Sequence, residues 1–116
     1  MRSGLSIKDF VQNYLYNFHY KIFPVLGYDL KIQGVLLSRK VFELSSQQWE
    51  EHTVNEIAIS QLTELTVDIN ENILTVLTHM QRTGQSRLVV IDGEKQPKGT
   101  IVLKDILKYL SEKMNL

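Results

Sequence analysis

An internal duplication runs through this 116-residue chain. "GVLLSRKVFEL" begins at Gly34 and "GTIVLKDILKYL" begins at Gly99, so the two copies lie 99 − 34 = 65 residues apart. The same offset places apolar residues on apolar residues, without a gap, over about forty residues per copy. Examples are Val11 with Val76, Leu15 with Met80, Val25 with Val90 and Leu36 with Ile101. Units of this size cannot each bury a full core, so the duplication predicts two similar units packed together.

Each copy follows the pattern helix, strand, turn, strand, helix. In the first copy, Ser6 and Asp9 form a capping-box pattern, and apolar residues at helical spacing predict one helix from there to Phe18. In the second copy, Asn70 is predicted to cap "ENILTVLTHMQRT", and Gly84 to end that helix. The predicted strands are "IFPVL", "LKIQGVLL", "RLVVI" and "TIVL".

A further strand, "LTV" at residues 65–67, precedes the second helical segment and has no counterpart in the first copy. The sequence therefore predicts an α/β (α+β) fold of two β-α-β-β-α repeats related by a pseudo-two-fold axis, the first lacking its N-terminal strand. The predicted boundaries are residues 5–45 for the first repeat and 65–114 for the second. Residues 46–64 form a linker with short helical turns, and the three segments make one domain.

Composition excludes several classes of protein. Lysine plus arginine and aspartate plus glutamate number 13 each, so the basic excess of a nucleic-acid-binding protein is missing. The chain has no cysteine, which excludes disulfides, thiolate metal sites and cysteine nucleophiles and fits a cytoplasmic location. No apolar run approaches the roughly 20 residues that span a bilayer.

The sequence also offers no catalytic or metal-binding motif. His19, His52 and His79 do not stand at ligand spacing, and HExxH is absent. G-x-S-x-G, a Walker loop and GxGxxG are absent as well. We therefore expect no catalytic residue, no metal site and no enzymatic activity on this chain.

The motifs "RLVVIDG" and "G-h-h-x-x-x-[D]-h-h", in which h is apolar, resemble the CBS domain, which occurs in tandem pairs called Bateman modules. "FVQNYLYNFHYKIFPV", "WEEHTVNEI" and the stretch from "MQRTG" to "LKYLS" further resemble the CBS pair appended to site-2-protease-type intramembrane zinc metalloproteases. This resemblance implies a non-catalytic regulatory module on the cytosolic side of a membrane protein. It also implies an adenosine-containing ligand between the repeats, such as AMP, ADP, ATP or S-adenosylmethionine.

The resemblance also implies where that ligand would bind. The family pattern G-h-x-[Thr/Ser]-x-x-Asp uses its hydroxyl on phosphate and its aspartate on the ribose. Asp105 matches, but Val102 replaces the hydroxyl residue, and the first copy has Leu37 and Lys40 at these positions. The predicted ligand-binding residues are Asp105, Arg87, Ser86, Val102, Thr66, Lys40 and Ser38, the last keeping a hydroxyl near a helix start.

Four of these residues also have a plainer interpretation. Asp105 would also favour the dipole of its helix, Arg87 and Lys40 would also serve as solvated surface cations, and Thr66 as an ordinary strand residue. Two functions therefore stay open: a nucleotide-sensing regulatory pair, or a degenerate pair kept for dimerisation or docking without a ligand. Tyr16, Phe18 and Tyr20 cannot all be buried on one helical face, which predicts a second apolar surface and a homodimer.

Overall fold

A computed structural model describes residues 1–18 and 20–114. The chain divides into two compact units, Met1–Leu62 and Thr63–Leu116. The first contains an antiparallel two-stranded sheet, and the second contains a three-stranded sheet of order β3-β4-β5. The mixed α/β class predicted from the duplication is therefore confirmed, with one sheet for each copy.

The elements of the first unit are short. They are, in chain order, α1 (Ile7–Phe10), a π-helical turn (Val11–Leu15), β1 (Ile22–Leu26), β2 (Ile32–Leu37), α2 (Ser38–Phe42), a 3₁₀ turn (Gln48–Glu50) and α3 (Val54–Ile57). Its core combines α1, the π-helical turn, both strands, α2 and α3, and consists of Ile7, Phe10, Val11, Phe23, Val25, Leu36, Val41 and Val54.

Helix α4 (Leu62–Leu65) lies at the division, and the second unit follows it. Its elements are β3 (Thr66–Asp68), α5 (Ile73–Thr83), β4 (Arg87–Ile91), β5 (Pro97–Val102) and α6 (Leu103–Lys113). One face of each helix packs on the sheet, and the core consists of Val67, Val76, Met80, Leu88 and Ile106.

The duplication is retained in the strand register. Ile22 pairs with Leu37 in the first unit and Arg87 with Val102 in the second, 65 residues later at both positions. The register also shifts at equivalent places, after Val25 and after Val90. In the connecting turns, Leu30 and Lys95 are again 65 residues apart and share a positive φ, of 65° and 62°. The two hairpins therefore have the same backbone design.

The place of the missing first strand is held by a single bridge. No strand precedes Ile7 among the described residues, as predicted, but Arg2 forms an isolated parallel bridge with Leu26. The Ser3 amide donates to the Leu26 carbonyl at 2.9 Å, and the Leu26 amide donates to the Met1 carbonyl at 2.7 Å. In the second unit, β3 pairs with β4 in parallel over three residues. The counterpart in the first unit is thus reduced to one residue.

The first helix departs from the prediction. Ser6 caps α1 as expected, since its Oγ accepts from the Asp9 amide at 3.1 Å. The α-helix then gives way to a wider turn, in which the Tyr16 amide donates to the Val11 carbonyl at 3.2 Å. This bond spans five residues instead of four, which rotates the following residues around the axis. Phe18 therefore leaves the buried stripe and is 44% exposed.

The predicted start of α5 is also wrong. The helix begins at Ile73, and Asn72 caps it, because its Oδ1 accepts from the Leu74 amide at 2.7 Å. The Asn70 amide instead donates to Asp68 Oδ1 at 2.8 Å, in the turn that follows β3. Gly84 ends the helix as predicted, with a left-handed φ of 72°.

Candidate functional site

Four of the predicted ligand-binding residues come together at one end of the sheet of the second unit. Strand β5 ends at Val102, opposite Arg87 in the antiparallel register. The chain enters α6 at once, and the Leu103 amide donates to the Ser86 carbonyl at 2.8 Å. The first turn of α6, which carries Asp105, therefore starts beside Ser86, Arg87 and Val102.

The start of α6 leaves several backbone groups available. Val102 is the N-cap residue and supplies no side-chain hydrogen bond to the helix. The first amides of an 11-residue helix point outward with the positive end of the helix dipole, which favours an anion. Asp105 is exposed in this turn. Its carboxylate could accept hydrogen bonds from ligand hydroxyls, and it also interacts favourably with the dipole.

Arg87 adds a positive charge at this end of the sheet. It is half-buried, and its Nη1 donates to Ser86 Oγ at 3.3 Å. A guanidinium so placed can form a paired interaction with a phosphate. Helix N-terminus, guanidinium, hydroxyl and carboxylate together form a set of groups that could bind a polar ligand with both hydroxyls and a phosphate.

Thr66 lies slightly apart from these residues. It begins β3 and pairs in parallel with Val89, two positions further along β4 than Arg87. It is also buried within the sheet. The structure therefore places Thr66 in the same sheet as the other residues but inside the unit, not on its surface.

The corresponding end of the first unit is closed, in the sense that the residues at the end of β2 and the start of α2 are buried. The Ser38 amide donates to the Lys21 carbonyl at 2.9 Å, the counterpart of the bond between Leu103 and Ser86. Here, however, Leu37 and Ser38 are only 5% and 6% exposed. Lys40 Nζ lies 3.7 Å from Glu43 Oε2, and both side chains of this ion pair are exposed. Helix α2 has five residues and no acidic residue in its first turn, so this end lacks the features of the second.

Sequence reasoning missed a cavity in the first unit. It has a volume of about 360 Å³ and contains none of the predicted site residues; its lining is Arg2, Ser3, Gly4, Leu5, Tyr14 and Tyr28. The Arg2 guanidinium lies 5.8 Å from the centre of the Tyr28 ring, in a cation–π arrangement. No periodic pattern could reveal this cavity, because it depends on the bridge between Arg2 and Leu26.

The histidines have local partners. His52 Nδ1 lies 2.9 Å from Glu56 Oε2, and His79 Nε2 lies 3.0 Å from the Glu64 carbonyl. The third histidine, His19, lies outside the described residues. In the part of the chain that the structure describes, no group of three or more potential ligands could hold a metal ion.

Each of the two units contains an antiparallel hairpin followed by a helix, and a parallel strand completes the sheet of the second unit. This arrangement defines the protein as a duplicated α/β module. Residues 54–112, slightly more than half of the chain, match the family model of the CBS domain. The chain belongs to the CBS domain family, as its resemblance predicted. Domains of this family are in general regulatory and non-catalytic.

Solved structures share this fold. A CBS domain-containing protein from Bacillus anthracis has a TM-score of 0.82 and 15% identity, and the match covers 97% of this chain and 83% of that one. The cytosolic domain of the Mg²⁺ channel MgtE, solved in complex with ATP, has a TM-score of 0.78 and 18% identity. That match covers 94% of this chain and 43% of the MgtE chain.

A longer relative is similar in sequence. A protein of Synechocystis sp., whose name assigns it provisionally to the zinc metalloproteases, is 26% identical over 109 residues. The match covers 93% of this chain but 29% of the relative, so the chain spans less than a third of that protein's length. Within residues 1–18 and 20–114, no helix is long and apolar enough to cross a membrane.

Proposed function

We propose that this chain is a non-catalytic regulatory module that binds an adenine nucleotide or a related ligand at the start of α6. Ligand binding would modulate an attached protein. The observation that carries the proposal is the exposed Asp105 in the first turn of a helix that has no side-chain cap, beside Ser86 and Arg87. The family assignment and the ATP complex of the MgtE neighbour support the choice of ligand class.

Each group has a distinct role in this proposal. Asp105 accepts hydrogen bonds from the ribose hydroxyls, as an ionised carboxylate does well. The first amides of α6 and the guanidinium of Arg87 bind the phosphate. Val102 offers no hydroxyl, so phosphate binding depends on backbone amides and Arg87 more than in the usual family pattern. The ligand can shift the module between two arrangements only if it binds one of them more tightly than the other.

The attached protein in this proposal is a membrane protein of the zinc metalloprotease type. The similarity to the Synechocystis relative supports this proposal, and that relative's chain continues well beyond the matched region. The module would then lie on the cytosolic side of the membrane, like the cytosolic domain of MgtE. The protease chemistry would belong to the remainder of that protein.

A thermal-shift screen against AMP, ADP, ATP and S-adenosylmethionine tests the ligand. A ligand at 100 times its dissociation constant stabilises a protein by about 2.7 kcal/mol. We expect one of the four to raise the Tm and Asp105→Asn to abolish the shift. Glu112→Gln, which removes an exposed carboxylate near the other end of α6, is the matched control and should respond like the wild type. Absence of any shift at millimolar ligand would reject nucleotide sensing.

A second candidate function is dimerisation or docking without a ligand. The closed end of the first unit and the substitution at Val102 favour it, and so does an exposed aromatic cluster. Phe18 and Tyr20 stack with ring centres 5.6 Å apart and planes 8° from parallel, and Tyr20 is 61% exposed. We propose that this cluster forms the contact of a homodimer.

Sedimentation equilibrium of the wild type and two variants tests the dimer. Tyr20→Ser should weaken self-association, whereas Tyr109→Ser, which removes an exposed tyrosine from the second unit, should not. A wild-type chain that stays monomeric at high concentration would reject the homodimer.

A further inference from the structure

Strand β2 of the first unit has a covered edge. The Val35 amide donates to the Ile59 carbonyl at 2.9 Å, and the Ile59 amide donates to the Val35 carbonyl at 2.9 Å. Ile59 therefore forms an isolated antiparallel bridge to β2, two residues after the end of α3. Gly34 permits the close approach, since a Cβ there would lie 3.1 Å from both the Ala58 Cβ and the Ile59 carbonyl oxygen.

The equivalent edge of β5 in the second unit is open. Thr100 is the counterpart of Val35, at 35 + 65, and pairs with Val89. The Ile91 carbonyl accepts from the Ile69 amide, so Ile91 faces β3, and so does Val89, two residues earlier in the same strand. The backbone groups of Thr100 consequently point away from β4, toward the outside of the sheet.

Nothing in the described chain pairs with this outer side of Thr100. Strand β5 is the last in the order of its sheet, and no isolated bridge involves it. Gly99 has no atom within 4 Å of a Cβ placed on it, whereas its counterpart Gly34 is tightly packed. The same hairpin, with the same glycine, is therefore covered in one unit and free in the other.

We propose that the edge of β5 binds an extended segment of a partner protein, in the way that residues 58–59 cover β2. This is β-strand addition, in which backbone hydrogen bonds supply affinity and adjacent side chains supply specificity. It goes beyond the proposed ligand site, because it uses the outer side of β5 and not the start of α6.

The segment in the first unit defines the chemistry of the partner. At the position equivalent to Ala58 the partner has a small residue, because its chain must pass close to Gly99. At the position equivalent to Ile59 it has a β-branched aliphatic residue. Ser60 and Gln33 line the same small cavity in the first unit, and the counterpart of Gln33 is Lys98. At the position equivalent to Ser60 the partner therefore has an acidic residue, opposite the ammonium group of Lys98.

Lys98 is available for this contact. Its present partner is Asp92, with Nζ and Oδ2 3.6 Å apart, and the lysine side chain is 47% exposed. Such exposed pairs contribute little to stability, so exchange for a partner carboxylate is easy. The positive charge also discourages pairing between two copies of the same edge, which would bring lysines together.

Two synthetic peptides test the proposal on the full chain. One has the sequence of residues 53–61, and the other has glutamate in place of Ser60. We expect both to slow hydrogen exchange at the Thr100 amide and the second to bind about two- to fivefold more tightly at low salt. Lys98→Gln should remove the difference between the peptides. Unchanged exchange at Thr100, or equal binding of both peptides to the wild type, would overturn the proposal.

Two variants of β5 provide the controls. Gly99→Val fills open space and should leave the Tm unchanged or slightly raised, but its side chain should block the peptide. Thr100→Pro removes the outward amide without removing a bond to β4, and should also abolish binding. Tight peptide binding to a folded Gly99→Val or Thr100→Pro chain would contradict the proposed site. So would protection of Thr100 that grows with protein concentration alone, since that would make the occupant a second copy.

Discussion

Equivalent residues of the two repeats share a backbone position but not an environment. Gly34 and Gly99 stand at the same point of the hairpin, yet one lies against Ala58 and Ile59 and the other faces open space. Leu37 and Val102 likewise end equivalent strands, and only the first is buried. The repeat was readable from the sequence, but these differences were not, because they depend on a segment far along the chain.

The two glycines provide a matched test of this difference. Gly34→Val should lower the free energy of unfolding by about 1–3 kcal/mol, because backbone and Ala58 must shift to admit the side chain. Gly99→Val should be neutral or slightly stabilising, since a β-branched residue suits a strand. Urea denaturation of both variants measures the two effects. Equal effects would show that the two edges are alike.

Leu30 provides a second test at a single residue. It holds a φ of 65° with an exposed side chain, a conformation that is costly for leucine and readily adopted by asparagine. Leu30→Asn should raise the free energy of unfolding by up to about 1 kcal/mol. Leu30→Ala keeps the backbone cost and should bring no gain. A stabilising alanine would mean that the exposed apolar side chain, not the backbone, is unfavourable.

Among the elements, β1, β2 and β4 were predicted well, whereas the start of β5 and the helix ends were not. Apolar runs between turn residues located these strands, and with them the end of the sheet where Ser86, Arg87 and Val102 meet α6. Strand β5 begins at Pro97, three residues before the predicted "TIVL", and Leu103 already belongs to α6. The π-helical turn after Phe10 has no sequence signal, because it depends on packing in the first unit. Asn70 and Asn72 are equally good caps by residue type, so sequence alone could not choose between them.

The turn between β4 and β5 makes the stability of its hairpin depend on pH. The amides of Gln96 and Glu94 donate to Asp92 Oδ1, each at 2.9 Å. The Gln96 amide contributes most to holding the pKa of Asp92 below its usual 3.8. Partial burial opposes this effect, and the Glu94 amide and Lys98 lower the pKa further. The folded-state pKa is depressed, so the stabilisation is present above pH 3.8 and is lost as the pH falls through the lower value.

Acid denaturation of the wild type and Asp92→Asn measures this contribution. We expect the wild type to lose stability more steeply than the variant below pH 3.8, with the two curves running parallel above it. Glu112→Gln controls for the loss of one carboxylate. Identical acid limbs for the wild type and Asp92→Asn would contradict the role of this turn.

In the whole molecule, the two copies of one backbone design differ in what they leave exposed. The second unit has an exposed helix start with Asp105 and Arg87 nearby, and a free strand edge. The first unit has the corresponding helix start closed and the corresponding edge covered. The duplication and Asp105 were predictable from sequence. The cavity lined by Arg2 and Tyr28 and the burial of Thr66 were not, since both depend on pairings between distant segments.

Calorimetric titration of the nucleotide selected by the thermal-shift screen tests whether one of the two copies binds the ligand. We predict one ligand per chain, and a loss of affinity of about tenfold or more in Asp105→Asn, because hydrogen bonds to a charged group contribute about 1.5–3 kcal/mol. Lys40→Asn, at the equivalent position of the first repeat, should bind like the wild type. Two ligands per chain, or unchanged affinity in Asp105→Asn, would contradict the account.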